Sequence, residues 1–147
     1  MKITFISVGK IKESFYTKQI EGHLKNIKKY AQVQVIEVPD EKCPEKLSDK
    51  EMIQVKNKEG ERILSKINSG DFVIALAIEG KIISTADFKS LIKKKQASSI
   101  VFVIGGSLGL SDEVLKRSNY KLSFSRLTFP HQLMKVLLTE QVYEVVK

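Results

Sequence analysis

The sequence holds one cysteine, Cys43, no tryptophan and three prolines in 147 residues. A single thiol excludes a disulfide within the chain, and with no Cys or His close by it has no metal-ligand spacing. The two histidines, His23 and His131, are equally isolated, so no catalytic metal is expected. No apolar run approaches the roughly 20 residues of a membrane helix. The opening stretch from Met1 to Gly9 is too brief for a signal peptide and offers no small-residue cleavage site. These absences predict a protein of the reducing cytoplasm, folded as one domain over residues 1–147. Internal repeats and low-complexity tracts are absent as well.

Acidic residues are in short supply too. Lys and Arg number 25 against 17 Asp and Glu, a formal charge of +8. Such a surplus favours an anionic partner, nucleic acid first, because it raises association rate and non-specific affinity. At 42% hydrophobic and 29% charged, the composition is that of a globular protein and excludes a disordered chain.

What is present alternates between strand and helix. The run Ile3 to Val8 is β-branched and aromatic and stops at Gly9, which reads as a buried strand. Tyr16, Ile20, Leu24 and Ile27 recur at helical spacing from about Glu13 to Tyr30. Val33 to Val38 is a second strand, and the charged, proline-bearing stretch Pro39 to Leu47 an exposed loop. Ser48 and Glu51 form a capping-box pattern. They open a mostly polar helix through Met52, Val55, Ile63, Leu64 and Ile67, with Gly60 as its weak point. Phe72 to Ile78 is apolar at every position, as in a strand covered on both faces. Glu79-Gly80-Lys81 reads as a turn, and a short helix follows Ser84-Thr85 and ends in Lys93-Lys94-Lys95. Ile100 to Ile104 is a fourth strand that runs into Gly105-Gly106-Ser107-Leu108-Gly109. Ser111 caps a brief helix to Arg117, Lys121 to Phe124 is a fifth strand, and Pro130 takes the first position of a final helix to Lys147. That helix carries an apolar arc from Leu133 to Val146 wider than one sheet face needs, so a second subunit is expected against it.

This alternation predicts an α/β fold: a mostly parallel sheet with helices on both faces. In such sheets ligands bind beyond the carboxyl ends of the strands, which singles out the loops after Leu76, Ile104 and Phe124. The glycines at 105, 106 and 109 suit either a plain tight turn or a loop that lets backbone approach a ligand. A P-loop requires Lys-Ser or Lys-Thr where Leu110-Ser111 stands, and a dinucleotide fingerprint requires an acid where Ser123 to Arg126 has none. His23 reads as a surface or boundary residue, whereas His131 opens a helix directly after a candidate ligand loop, where capping and catalysis are both open to it. The lysine groups at 10, 12, 25, 28, 29 and at 93–95 are solvated faces unless two of them share a side and so make an RNA surface. No signature of the common RNA-binding modules is present.

Taken together, Val103-Ile104-Gly105-Gly106-Ser107-Leu108-Gly109, Arg117-Ser118-Asn119-Tyr120, Leu122-Ser123-Phe124-Ser125, Thr128-Phe129-Pro130-His131-Gln132 and Glu140-Gln141-Val142-Tyr143 closely resemble one family. It is the large-subunit ribosomal RNA methyltransferase H family of the SPOUT superfamily. Gly9-Lys10 and Val38-Pro39-Asp40-Glu41-Lys42 resemble it as well, so the similarity covers essentially the whole chain. The resemblance implies a SPOUT-type α/β knot whose C-terminal segment threads a loop as a trefoil, against the usual rule. It implies a homodimer that uses S-adenosyl-L-methionine to methylate N3 of a pseudouridine in large-subunit rRNA within assembled ribosomes, without metal or membrane. Carried over by motif, the cofactor would touch Leu76, Gly105, Phe124, Ser125, Arg126, Leu127, Thr128 and Phe129. Arg126 would face the cofactor carboxylate or an RNA phosphate. The general base is unassigned, with His131 and Arg126 as candidates for acting on the reacting nitrogen.

Family members continue past this helix into a short basic tail ending Gly-x-x-Tyr-His, whereas this sequence ends at Val146-Lys147 and has Glu144 where the family has Arg. No residue here inherits the tail's role. The alternative expectation is therefore a non-catalytic RNA- or ribosome-binding module of the same fold, and a weaker one a nucleotide-binding oxidoreductase. Gly105→Val is expected to block cofactor binding without unfolding the protein.

Overall fold

The computed structural model describes residues 1–42 and 46–147. Cys43 and Pro44, read from the sequence as part of an exposed loop, lie with Glu45 outside the described residues. The elements are β1 (Lys2–Val8), α1 (Ser14–Ile27), β2 (Gln32–Val38), α2 (Asp49–Leu64), β3 (Phe72–Ile82), α3 (Thr85–Lys94), β4 (Ser99–Ile104), α4 (Asp112–Arg117), β5 (Tyr120–Ser123) and α5 (His131–Val146). All pairings in the sheet are parallel, in the order β2-β1-β4-β3-β5. Every carboxyl end therefore points to one edge, which is where the loops after β1, β3, β4 and β5 gather.

Side chains alternate across the sheet, and each face has its own apolar layer. On one, Ile3, Phe5, Ile74, Ile100 and Phe102 pack against Ile27, Phe88, Ile92, Leu138 and Val142 from α1, α3 and α5. On the other, Ile6, Val73, Ala75, Val101 and Val103 meet Ile63 of α2 and Val114 of α4. Phe102 stands at the centre: it stacks on Phe5 of the neighbouring strand at 5.5 Å and takes the edge of Phe88 at 6.1 Å. The helix α5 packs against both α1 and α3. Part of its wide apolar arc is thus covered within the same chain, with Leu138, Val142 and Val145 buried. No helix among the described residues is long and apolar enough to cross a membrane.

Two local expectations are corrected. Glu79-Gly80-Lys81 is not a turn but part of β3, which runs on to Ile82. Leu122 of β5 pairs with both Leu76 and Lys81, so the residues between are looped out of register. Gly80 permits this, because a Cβ there would stand 2.7 Å from the Lys121 backbone carbonyl. Nor is Gly60 a weak point. It is buried where α2 crosses the start of α4, and a Cβ would collide with the Ser111 Oγ that caps α4 and press on Val114 Cγ2 at 3.3 Å. Gly60→Ala gains about 1 kcal/mol of helix propensity, yet forces overpacking that costs about 1–3 kcal/mol. A net loss is expected, read as a lower urea midpoint at unchanged slope.

One boundary shifts by a residue: Pro130 is the N-cap of α5 and His131 its first helical residue.

Candidate functional site

The glycine loop after β4 folds back on itself. Gly109 N donates to Gly106 O at 3.1 Å, and Gly109 takes φ +86, which favours glycine. Gly105 is buried beneath this turn, and a Cβ on it would stand 2.7 Å from Gly109 C and 2.9 Å from its O. Gly105→Val would therefore strain the fold as well as fill the site, since the loop's own backbone already occupies the space a side chain needs. The segment after β5 is held by local bonds: Ser123 Oγ donates to Ser125 O at 2.9 Å, and Leu127 N donates to Ser125 Oγ at 2.9 Å. The Arg126 guanidinium donates to Ile78 O and so ties this segment to β3.

These loops enclose a cavity of about 150 Å³ lined by Leu76, Gly105, Phe124, Ser125, Leu127, Thr128, Phe129, His131 and Met134, with Ile104 and Leu122 as its floor. A wider cleft of about 800 Å³ shares Leu76, Gly106, Thr128, Phe129 and His131 with it. Of the eight cofactor contacts that the resemblance implied, all but Arg126 line this cavity, as does His131. Arg126 has turned its side chain to β3, and His23 sits midway along α1. His131 begins α5, whose first turn carries no side-chain cap. Its leading backbone amides are thus left to whatever occupies the cleft.

Sequence reasoning missed two buried charges beside the site. Lys135, 5% exposed, donates from Nζ to Ser7 Oγ at 3.2 Å and pairs with Glu37 at 3.6 Å. Burial lowers its pKa, and Glu37 partly offsets the effect. Its signal was a lysine inside the apolar arc of α5, one turn beyond His131. Glu59, 4% exposed, accepts from Glu41 N at 3.0 Å. Burial raises its pKa, against the lowering effect of that hydrogen bond. The lysine groups divide: Lys10 and Lys12 follow β1 to this edge, where they line a groove with Gly106 and His131, and the others share the opposite side. The C-terminal ends of α1 and α3 carry Lys25, Lys28, Lys29 and Lys93–95 to the edge where strands begin, opposite the cavity. Among the described residues no three His, Cys, Asp or Glu side chains are grouped to hold a metal.

This combination of a parallel sheet, a glycine loop and an apolar cavity at the carboxyl edge agrees with the family match. A family model described as "Predicted SPOUT methyltransferase" matches residues 1–147, and the chain belongs to the SPOUT methyltransferase family. Within it, the chain is 55% identical over 146 residues to ribosomal RNA large subunit methyltransferase H of Enterococcus faecalis (strain ATCC 700802 / V583), covering 97% of this chain and 92% of that protein. The same figures hold for the protein of that name from Listeria monocytogenes serovar 1/2a (strain ATCC BAA-679 / EGD-e). The chain is thus a member of the methyltransferase H family. Among solved structures, a hypothetical protein superposes with a TM-score of 0.56 at 12% identity, over 99% of this chain and 67% of the other. A probable methylase family protein from Haemophilus influenzae Rd KW20 superposes with a TM-score of 0.53 at 14% identity, over 98% and 66%. These two likenesses establish the fold.

Proposed function

We propose that the protein is an S-adenosyl-L-methionine-dependent methyltransferase that acts on N3 of a pseudouridine in large-subunit rRNA, on ribosomes in the cytoplasm. The observation that carries this reading is the convergence of Leu76, Gly105, Phe124, Ser125, Leu127, Thr128 and Phe129 on one cavity at the carboxyl edge, in a chain 55% identical over 146 residues to proteins named as large-subunit rRNA methyltransferases. The cavity suits an adenosyl group. Leu76, Leu127 and Phe129 supply apolar walls, Gly105 and Gly106 bare backbone, and the adjoining cleft of about 800 Å³ has room for the rest of the molecule.

When bound, the cofactor supplies a methyl group already activated by its sulfonium. The chain's own residues have the simpler task of alignment and exclusion of water. Thr128, Phe129 and His131 line both the cavity and the cleft and help to close the site to water. N3 loses its proton as it attacks, and the developing charge is met by the uncapped amides of α5. The His131 imidazole stands at the same helix end and is placed to take that proton. Arg126 acts from outside the cavity, by pinning residues 124–129 to Ile78.

A second copy of the chain packs against the half-buried part of the α5 arc that α1 and α3 leave free, with Leu133 and Leu137 on it. The C-terminal segment threads the preceding loop in the knotted manner of SPOUT proteins. The test is calorimetry with S-adenosylmethionine and with NAD, followed by incubation of labelled cofactor with ribosomes that lack the modification. Binding of S-adenosylmethionine and label in large-subunit rRNA are expected. Binding of NAD alone would refute the reading, and cofactor binding without label in rRNA would favour a non-catalytic module.

A further inference from the structure

A second depression lies across the glycine loop from the cofactor cavity. In the sheet, β1 and β4 are neighbours, yet the chain leaves β1 toward β2 and leaves β4 in the opposite direction toward β5. Their loops separate, and a crevice opens between them at the carboxyl edge, the general ligand position of open α/β sheets. A groove of about 680 Å³ occupies it and takes its walls from both loops. Gly106 and His131 line the groove and the cofactor cavity alike, so a ring seated in one is adjacent to the other.

The groove is built around acceptors. Glu59 lines it, with one carboxylate oxygen bound to the Glu41 amide at 3.0 Å. The other, Oε1, is buried and has no hydrogen-bond partner among the described residues, and the same holds for Gln132 Oε1 in the same lining. A buried acceptor without a donor is costly, so a ligand that brings an N–H is favoured there. Gly106 stands against Glu59 in the same lining, and a Cβ on it would come within 3.2 Å of Oε1. The remaining charges are largely matched: Glu37 is held by Lys135 and Glu41 by Arg62. Asp40 shares the lining with Lys10, Lys12 and Lys42, a cationic balance that accepts flanking phosphates.

We propose that this groove receives the target base and that Glu59 is its specificity-determining residue, accepting a ring N–H of the bound pyrimidine. The proposal rests on the methyltransferase reading and deepens it. With N3 as methyl acceptor, a pseudouridine still offers N1–H, whereas in uridine that nitrogen carries the sugar. An acceptor in the wall therefore distinguishes the two isomers by one hydrogen bond, to a charged group.

The experiment uses the full chain and two ribosome preparations that carry pseudouridine or uridine at the target position. Wild-type kcat/KM is expected to be about ten- to a hundredfold higher on pseudouridine, the usual effect of one hydrogen bond to a charged group. Glu59→Gln keeps an oxygen for the Glu41 amide but turns an NH2 toward the base. It is expected to bring the preference to within about twofold, with the dissociation constant for S-adenosylmethionine unchanged. Gly106→Ala, which interposes a methyl group before Oε1, is expected to lose the preference as well and serves if Glu59→Gln fails to fold. A wild-type preference retained in both variants overturns the assignment of Glu59, as does a wild type indifferent to the isomers. A wild type that binds no S-adenosylmethionine overturns the methyltransferase reading itself, and the proposal with it.

Discussion

Gly105→Val is expected to abolish S-adenosylmethionine binding and also to lower folding stability by about 1–3 kcal/mol, occasionally more. The Cβ alone would stand 2.7 Å from the Gly109 carbonyl carbon and 3.1 Å from Leu110 Cδ2. The loop must therefore open before the valine methyls are placed. The residue that opens it is the one whose bare backbone lines the cavity, so affinity and stability fall together. Calorimetry and a urea melt on the same preparation measure both. Leu127→Ala is the contrast: at 71% exposure its truncation leaves stability within about 0.5 kcal/mol, while an apolar wall of the cavity is lost and cofactor binding weakens. Wild-type affinity in Gly105→Val would show that the loop lies away from the ligand.

Phe102→Ala is expected to cost about 3–5 kcal/mol, a large share of the roughly 5–15 kcal/mol that holds a domain of this kind. Phe102 is fully buried in β4, the middle strand of the order β2-β1-β4-β3-β5. It joins Phe5 of β1 to Phe88 of α3 through stacked and edge contacts, so its removal leaves a cavity between sheet and helix that neither neighbour can fill without leaving its own strand or turn. The measurement is the urea midpoint. A loss under 1 kcal/mol would mean that this layer repacks freely.

Much of the architecture was legible because β1 and β4 are short apolar runs closed by glycine, the first seven residues of β3 are apolar throughout, and α1 repeats its apolar residues at 3.6. The capping pair Ser48 and Glu51 forms as read, with Glu51 N donating to Ser48 Oγ at 3.2 Å. The turn assigned to residues 79–81 failed for a reason no local pattern contains. Gly80 sits there to admit the backbone of β5, a partner 41 or more residues further along the chain. Gly60 was misread for the same reason, its helix propensity being local and its crossing with α4 tertiary. At the site, the strand ends indicated which loops converge, but not that Arg126 turns to Ile78. Lys135 and Glu59 were hidden because a charged residue in a helix reads as solvated until the element that covers it is known.

Gly105, Gly106, Phe124, Ser125 and residues 127–129 line one cavity, proposed above as the S-adenosylmethionine site. Titration of the isotope-labelled protein with S-adenosylmethionine, followed at each backbone amide by NMR, tests it most directly. The largest and saturable shifts are expected on Gly105, Gly106, Leu127, Thr128 and the first turn of α5. Shifts confined to the opposite edge of the sheet, around Lys25 to Lys29 and Lys93 to Lys95, or none at millimolar cofactor, would contradict it.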